Sequence, residues 1–456
     1  MRRTKAPEPS STAGQTRRTV GTDAVGDAWT PAEHLHRPTG VSCDRIVSVK
    51  PYALVALLFL TATASYLCRV NISVVGALMM RELGFSQVDM GRLFSAFVLG
   101  YALFQIPSGA LSDRWGARRV LVWAVSWWVV ATLLMSALGS IRLTTAASEG
   151  FIALLVLRFL LGIGEAPTFP AAAQGISRWI HPANQGLANG VVMAAIGGGS
   201  AIAPALLSRV MVHWGWRFAL MVSALPAFVA AVSWAFVRNT ETVASVAENP
   251  TVVRDGRSPL RSRSFAFLVL SYTLEGYVGY IFVFWFYLYL VQVRHFDLIR
   301  AGWLSSLPWL LSMISIPLGG VVSDRLIAGR AGALWGRRTV PIFGLTFSAV
   351  FLVFGARAQY AYTAVACLTL ATALVLCVEG PFWAAMMELA GPRSGTGGGV
   401  MNCGSNVGGM ISPVLTPVLA VHIGWENALY VAAGVALVAA ALWLGISPQP
   451  TDLQPA

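Results

Sequence analysis

Long apolar stretches recur along the chain from about position 50 almost to its end, and short polar loops separate them. As helices, they are long enough to cross a hydrocarbon core of about 30 Å, which takes about 20 residues. The pattern therefore predicts twelve spanning helices, numbered here as segments one to twelve. They lie near residues 52–78, 88–111, 119–139, 150–178, 185–212, 216–237, 265–293, 300–323, 339–356, 360–388, 398–421 and 426–446.

Three polar stretches lie outside this pattern. Residues 1–50 are rich in Pro, Thr, Gly and Arg and contain no apolar run of signal-peptide length. They predict a disordered cytoplasmic N-terminal tail, so that segment one acts as an uncleaved insertion signal. Residues 238–264 predict a cytoplasmic linker, and residues 448–456 a cytoplasmic tail.

The second half of the chain repeats the first at a nearly constant offset. Several residues of segments five and six recur 209 positions later in segments eleven and twelve. The matched pairs are Gly190/Gly399, Gly199/Gly408, Pro204/Pro413, His213/His422, Gly215/Gly424, Trp216/Trp425, Ala219/Ala428 and Leu220/Leu429. We therefore expect an all-α polytopic membrane protein of two pseudo-symmetric six-helix halves, 51–237 and 265–447, that meet around a midplane site.

Composition agrees with a membrane protein and excludes several other classes. Hydrophobic residues make up 56% of the 456 positions and charged residues 11%, whereas a soluble domain carries roughly a quarter charged residues. The five cysteines show no paired ligand spacing, so neither a metal site nor another cofactor is expected. The loops offer no nucleophile with a base and an orienting group, which argues against an enzyme.

Basic residues predict the orientation. With the N-terminal tail inside, the inner loops carry more arginines than the outer loops, so both termini should be cytoplasmic. The net charge of +12 then reflects topology and a basic tail, and nucleic-acid binding is not expected. The expected location is the plasma membrane, or the inner membrane in a bacterium.

The loop between segments two and three reads Gly-Ala-Leu-Ser-Asp-Arg-Trp-Gly-Ala-Arg-Arg over residues 109–119. It resembles the signature loop of the major facilitator superfamily. Asp324 and Arg325, at an offset of 211 from Asp113 and Arg114, form a weaker copy. The resemblance implies that these four residues and Arg118 gate the cytoplasmic side.

Three further stretches resemble the anion:cation symporter branch of that superfamily. They are residues 66–71, 94–107 and 158–167. This branch includes sugar-acid and phthalate permeases, sialin and the vesicular glutamate transporters. The resemblance implies uptake of an organic anion driven by the proton gradient, without a cofactor, and we expect a monomer in the lipid bilayer.

Arg69 is the first candidate for the binding site. An ionised group at bilayer depth costs roughly 2.5–3.5 kcal/mol, so it is a functional candidate by default. Tyr66 lies three residues earlier on the same helical face, and a guanidinium fork with a hydroxyl beside it suits a carboxylate. The alternative is a structural cation held by an acidic neighbour or backbone carbonyls.

Segment four carries two further charges, Arg158, which is another candidate for substrate binding, and Glu165. They lie seven residues apart, about 10 Å along the helix, so each is expected to meet a partner from another helix. Glu165 is the candidate proton carrier, because burial favours the protonated acid and a nearby arginine favours the carboxylate. Its alternative is a static ion pair. Glu379 occupies a similar context in segment ten, 214 positions later, and is a second proton-coupling candidate.

Further candidates for substrate binding lie in both halves. Tyr280 is the counterpart of Arg69 at an offset of 211, although the aromatic residues of segment seven are otherwise typical of helix packing. The resemblance adds Tyr101, Trp383, Asn402 and Asn406, and the asparagines are equally compatible with interhelical hydrogen bonding.

One departure from the branch lies next to Arg69. Many bacterial relatives carry aspartate immediately before this arginine, where it takes part in proton coupling, whereas this chain has Cys68. A thiol is a poor substitute for that acid. The number of protons moved per anion is therefore left open.

Three functional hypotheses follow. The leading one is proton-coupled symport of a small organic anion, such as a sugar acid or an aromatic acid, by alternating access. A proton-coupled antiporter that exports drugs or metabolites is the second, although two arginines disfavour a cationic ligand. The third is a transporter-like sensor, and the chain has no large cytoplasmic domain to support it.

Overall fold

The structure is a computed structural model that describes residues 51–138, 147–180, 184–237, 260, 262–329, 332–391 and 394–447. The predicted tails, 1–50 and 448–456, and nearly all of the predicted linker lie outside the described residues. The boundaries of the predicted domains stay predictions.

Within the described residues all regular structure is helical, which confirms the predicted all-α fold. The helices are α1 (Pro51–Leu83), α2 (Gln87–Trp115), α3 (Ala117–Leu138), α4 (Ala147–Glu165), α5 (Thr168–Trp179), α6 (Gln185–Phe236), α7 (Arg263–Phe284), α8 (Phe286–Gln292), α9 (Leu298–Ala328), α10 (Gly332–Arg357), α11 (Ala361–Leu376), α12 (Glu379–Ala390) and α13 (Ser394–Leu442), and a 3-10 turn over Trp443–Gly445 follows.

Ten continuous stretches of the described chain are long and apolar enough to span a bilayer. Two of them, Leu187–Phe236 and Thr396–Gly445, have 50 residues each, about 75 Å of helix and more than twice a hydrocarbon core. Each is broken by a glycine with positive φ, Gly215 at 81° and Gly424 at 86°. Division at these repeat-related glycines gives the twelve predicted segments.

Segments four, seven and ten are each interrupted, which the apolar pattern did not predict. Segment four breaks between α4 and α5, where Pro167 stands as the residue before α5 and cannot donate to the preceding turn. Segment ten breaks between α11 and α12, just before Glu379, and segment seven breaks at Trp285. Glu165 and Glu379 therefore lie at helix breaks within the bundle.

The two halves are joined toward one end of the bundle, the end that carries the turns near residues 84–86 and 293–297. There Phe94 of α2 stacks on Phe284 of α7 with ring centroids 4.8 Å apart. Hydrogen bonds join Ser73 to the Val283 carbonyl (3.2 Å), Gln87 to Gln292 (2.7 Å), Ser95 to the Met410 carbonyl (2.6 Å) and Ser306 to the Ala201 carbonyl (2.6 Å).

The opposite end of the bundle differs. The hydrogen bond from Asn406 to Gln105 at 3.3 Å lies farther from these turns than the four hydrogen bonds just named. We call the joined end the sealed end.

Helices α2 and α4 cross at a backbone-to-backbone contact. A Cβ added at Gly162 would collide with the Phe97 carbonyl oxygen, and one added at Gly100 with the Phe159 carbonyl oxygen. Small residues allow such an approach where lipid supplies no hydrophobic driving force between helices. The crossing brings Phe97 and Tyr101 of α2 beside α4.

We expect Gly162→Ala to lower the melting temperature of the purified protein in detergent. Overpacking costs about 1–3 kcal/mol, which exceeds the gain in helix propensity of up to about 1 kcal/mol. Gly190→Ala is the control, because nothing lies within 4 Å of a Cβ added there. Equal melting temperatures for the two variants would contradict the close crossing.

Candidate functional site

Helix α1 presents three polar side chains on one face in the middle of the bundle. Ser65, Tyr66 and Arg69 are spaced by three and four residues, so they lie on the same side of the helix. Arg69 is only 3% exposed. A charged side chain at this depth needs partners from other helices.

Glu165 is the partner, and the local sequence explains its position. It is the last residue of α4, because the chain turns at Pro167 before α5 begins. The Thr168 hydroxyl donates to the Glu165 carbonyl at 2.6 Å and so binds one of the orphan carbonyls at this helix end. The side chain of Glu165 is fully buried and points to α1.

The two side chains form a buried ion pair. Arg69 Nε donates to Glu165 Oε1 at 3.1 Å, and Nη2 lies 3.0 Å from the same oxygen without the alignment of a hydrogen bond. The Ser65 hydroxyl also donates to Oε1. Oε2, by contrast, is buried and has no hydrogen-bond partner among the described residues. The two carboxylate oxygens are therefore in different environments.

Aromatic rings surround the Arg69 guanidinium. Its Cζ lies 4.5 Å from the ring centroid of Tyr101, 4.6 Å from that of Tyr66 and 5.2 Å from that of Phe97. Cation–π contacts of this kind contribute roughly 0.5–2 kcal/mol, with the larger values at desolvated sites. The rings hold the guanidinium in place. Among the described residues, Glu165 is the one carboxylate that pairs with it.

Arg158 is buried completely and also lies against Phe97, with Cζ 4.8 Å from the centroid of that ring. None of its three guanidinium nitrogens has a hydrogen-bond partner in the part of the chain that the structure describes. The sequence predicts a partner from another helix for both charges of segment four. Glu165 has one in Arg69, whereas Arg158 contacts the aromatic face and is attracted by Glu165 without forming an ion pair with it among the described residues.

A chain of hydrogen bonds connects this group to the second half. Gln105 donates to the Tyr101 hydroxyl at 3.4 Å and accepts from Asn406 Nδ2 at 3.3 Å. The Tyr280 hydroxyl donates to Asn406 Oδ1 at 3.1 Å. Asn402 takes part through its carbonyl, which accepts from Asn406 at 2.9 Å. Eight predicted site residues are thus brought to one region, namely Tyr66, Arg69, Tyr101, Arg158, Glu165, Tyr280, Asn402 and Asn406.

The remaining candidates of the second half lie in a separate group. Tyr272 donates to Glu379 Oε2 at 2.8 Å, and Trp383 lies within hydrogen-bonding range of both. Glu275 lies one turn along α7 from Tyr272, and Glu379 acts electrostatically on it. Trp383 therefore accompanies Glu379 and not Arg69.

The predicted gating residues lie at the end opposite the sealed end. Arg118 donates to the carbonyls of Trp234 and Ala235 at the end of α6, at 3.4 and 3.0 Å. Asp324 pairs with Arg337 at 2.8 Å, and Arg337 also binds Glu388. Arg114 and Arg325 are exposed. The Asp113 side chain lies outside the described residues, and the gating roles stay predictions.

Sequence reasoning missed three members of the site. Gln105 carries the bridge between the halves, and its signal was an amide inside a spanning segment. Ser65 precedes Arg69 by four residues, the spacing of one helical turn. Phe97, which contacts both arginines, has no sequence signal, because an aromatic residue in a spanning helix most often packs against neighbours.

Comparison with known proteins places the chain in a family. A model described as Major Facilitator Superfamily matches residues 58–332 and 325–456. The probable sulfoacetate transporter of Cupriavidus necator is 30% identical over 83% of this chain and 89% of its own length. The hexuronate transporter of Bacillus subtilis is 26% identical over 85% of this chain and 92% of its own length.

Solved structures agree on the fold. A bacterial homologue of the human lysosomal transporter Spinster, in an inward-facing and occupied conformation, has a TM-score of 0.71 at 19% identity and covers 87% of this chain and 97% of its own. The D-xylose–proton symporter has a TM-score of 0.72 at 13% identity, with 88% and 100% coverage. The chain therefore belongs to the Major Facilitator Superfamily, and it is a multi-pass membrane transporter and not an enzyme.

Proposed function

We propose that the protein is a proton-coupled symporter that takes up a small organic anion by alternating access. The observation that carries the proposal is the charge balance of the site. Two buried guanidinium groups, Arg69 and Arg158, face one buried carboxylate, Glu165, among the described residues at this level of the first half. An anion supplies the missing negative charge.

Arg158 is the buried cation that an anion would stabilise most, because it has no ion pair among the described residues. A buried cation without an ion pair of its own costs several kcal/mol, and it persists only where a function compensates that cost. Arg158 and Arg69 both lie against the ring of Phe97, with Cζ atoms 4.8 and 5.2 Å from its centroid. A carboxylate at this level of the bundle would bind one or both forks.

Glu165 couples the anion to a proton. While Glu165 is ionised, its Oε1 accepts from Arg69 and keeps that guanidinium from other anions. The Oε2 atom has no partner among the described residues and is the position for a proton. Protonation removes the charge that holds Arg69, which frees the guanidinium for the anion. Anion and proton therefore favour each other's binding, which is the thermodynamic requirement for symport.

The relatives support an anionic substrate. Sulfoacetate carries a sulfonate and a carboxylate, and a hexuronate carries one carboxylate; the names of two relatives give these compounds as their substrates. We propose a substrate of this class, a small carboxylate or sulfonate. A cationic drug, the ligand of the alternative antiporter, would meet two buried arginines and be repelled.

We propose that the structure corresponds to the inward-facing state of the transport cycle. With both termini in the cytoplasm, as the arginine distribution predicts, the sealed end is the outer side and the site is reached from the cytoplasm. The Asp324, Arg337 and Glu388 contacts are then part of the inner gate, which closes when the halves rock over the bound anion. The two helix breaks beside Glu165 and Glu379 are positions where such movement is absorbed.

Replacement of Arg69 tests the binding role. Arg69→Lys keeps the charge but loses the fork, so we expect binding about 10- to 100-fold weaker, as for the loss of one charge-assisted hydrogen bond. Arg69→Ala should abolish binding. Sulfoacetate and glucuronate are the probes, measured by thermal shift and by uptake into proteoliposomes. Arg300→Ala is the matched control on the exposed start of α9. Near-normal affinity in Arg69→Ala would place the site elsewhere.

Arg158→Met tests whether the unpartnered charge exists for the anion. Methionine removes the charge and fills much of the same space, so we expect the ligand-free protein to melt at a higher temperature and to lose its stabilisation by sulfoacetate. Arg158→Lys is the control, because it keeps the buried charge. A lower melting temperature with unchanged sulfoacetate binding would refute the role.

Glu165→Gln tests coupling. Glutamine mimics the protonated acid, so the variant should exchange labelled anion across the membrane but fail to accumulate it under an imposed pH gradient. Wild-type affinity should fall as pH rises, because only protonated Glu165 releases Arg69, and the variant should lose this dependence. Glu426→Gln, at an exposed position, serves as control. Full proton-driven accumulation by Glu165→Gln would move the proton site to another carboxyl.

A further inference from the structure

The second half holds a pair of carboxyl groups that the anion site does not use. We infer that Glu275 and Glu379 form a second proton site, in which Glu275 carries a proton and Glu379 carries the negative charge. The inference goes beyond the proposed function and stands whichever anion the first half binds.

The geometry brings the two acids together from two helices. Glu275 lies in α7, and Glu379 is the first residue of α12. Glu275 is 2% exposed, and within the described residues no hydrogen bond or ion pair is made by its side chain. Its strongest charged neighbour is Glu379. Tyr272 connects them, since it lies one turn before Glu275 and donates to Glu379 Oε2 at 2.8 Å.

The surroundings contain no compensating cation. The titratable groups that face the pair are Tyr272 and Tyr280 on α7, and Trp383 on α12 adds a neutral donor. In the described part of the chain, no arginine, lysine or histidine forms an ion pair with either acid. Each ionised carboxylate at this depth is costly, and two carboxyl groups that share a site oppose each other's ionisation. At least one of the two therefore holds a proton at neutral pH.

The donors decide which acid holds it. Glu379 accepts from the Tyr272 hydroxyl and lies in the first turn of α12, where the helix dipole stabilises a negative charge. Glu275 has no donor and is in the middle of α7. The charge therefore resides on Glu379 and the proton on Glu275.

A proton suits this pair better than a metal ion does. Divalent cations such as Ca²⁺ take about 6–8 oxygen ligands. The described residues here supply two carboxyls and one tyrosine hydroxyl, and they contain no group of three or more His, Cys, Asp or Glu side chains that could hold a metal. A proton needs one carboxyl oxygen and tolerates an apolar environment.

Infrared spectroscopy tests the inference without any substrate. Purified full-length protein in nanodiscs is titrated with pH, and the C=O band of protonated carboxyl groups is followed. Glu165→Gln is the background, so that the acid of the anion site contributes nothing. We expect this background to keep one protonated carboxyl above neutral pH.

The second substitutions distinguish the two acids. Glu275→Gln added to the background should remove the band, whereas Glu379→Gln should leave it, because a lone buried Glu275 remains protonated. Glu426→Gln, an exposed acid, should change nothing. A band that survives Glu275→Gln, or that disappears equally with Glu379→Gln, overturns the assignment.

Isotope labelling gives a version of the test that needs no second substitution, so it does not depend on whether the double variants fold. In the Glu165→Gln protein carrying ¹³C-labelled glutamate side chains, the same band should shift to lower frequency. A protein with no protonated carboxyl band above neutral pH overturns the inference outright. Loss of the inference in this way leaves the anion proposal intact, since that proposal is decided by sulfoacetate binding to the Arg69 and Arg158 variants.

Discussion

The ion pair between Arg69 and Glu165 is the interaction on which the rest of the site depends. It joins α1 to the end of α4 in a medium where an isolated charge is costly. All of its hydrogen bonds fall on one carboxylate oxygen, and the other oxygen has none among the described residues. The pair is therefore held through one carboxylate oxygen only, and the proposed coupling uses this asymmetry, because protonation of Glu165 would weaken its hold on Arg69.

The two halves divide the charges between them. At mid-membrane, the described first half has two guanidinium groups against one carboxylate, whereas the second half has the Glu275 and Glu379 pair without a cation. Tyr280 lies within electrostatic range of both Arg69 and Glu275, and its hydroxyl ends the hydrogen-bond chain that leads through Asn406 to Gln105. The polar centre of the protein is thus one connected region, with an excess of positive charge on one side and of negative charge on the other.

The sequence predicted the fold well because the bilayer imposes a length and a polarity that a single chain displays directly. Arg69, Glu165, Tyr280 and Asn406 were also found, since a polar residue in an apolar segment is conspicuous. The absence of a partner for Arg158 could not be predicted, because it depends on which side chains of other helices fail to reach it. Both breaks had a signal in a proline, since Pro167 and Pro381 each follow the glutamate at the break by two residues.

The cysteine at position 68 limits the number of acids in the first half, and that number bears on which substrate charge the site can accept. Its thiol lies beside Arg69 in the chain and is directed to the Ser223 carbonyl at 3.5 Å, so it adds no carboxyl to the site. Glu165 is then the one acid away from the ends of its spanning segment in the described first half. Moving one net charge against a potential of 100 mV costs about 2.3 kcal/mol. In the symport proposed above, a monoanion would enter without net charge in the company of one proton, which Glu165 alone could carry. A dianion such as sulfoacetate would need two. Because the described first half offers no second acid at this depth, the second proton would come from the pair formed by Glu275 and Glu379.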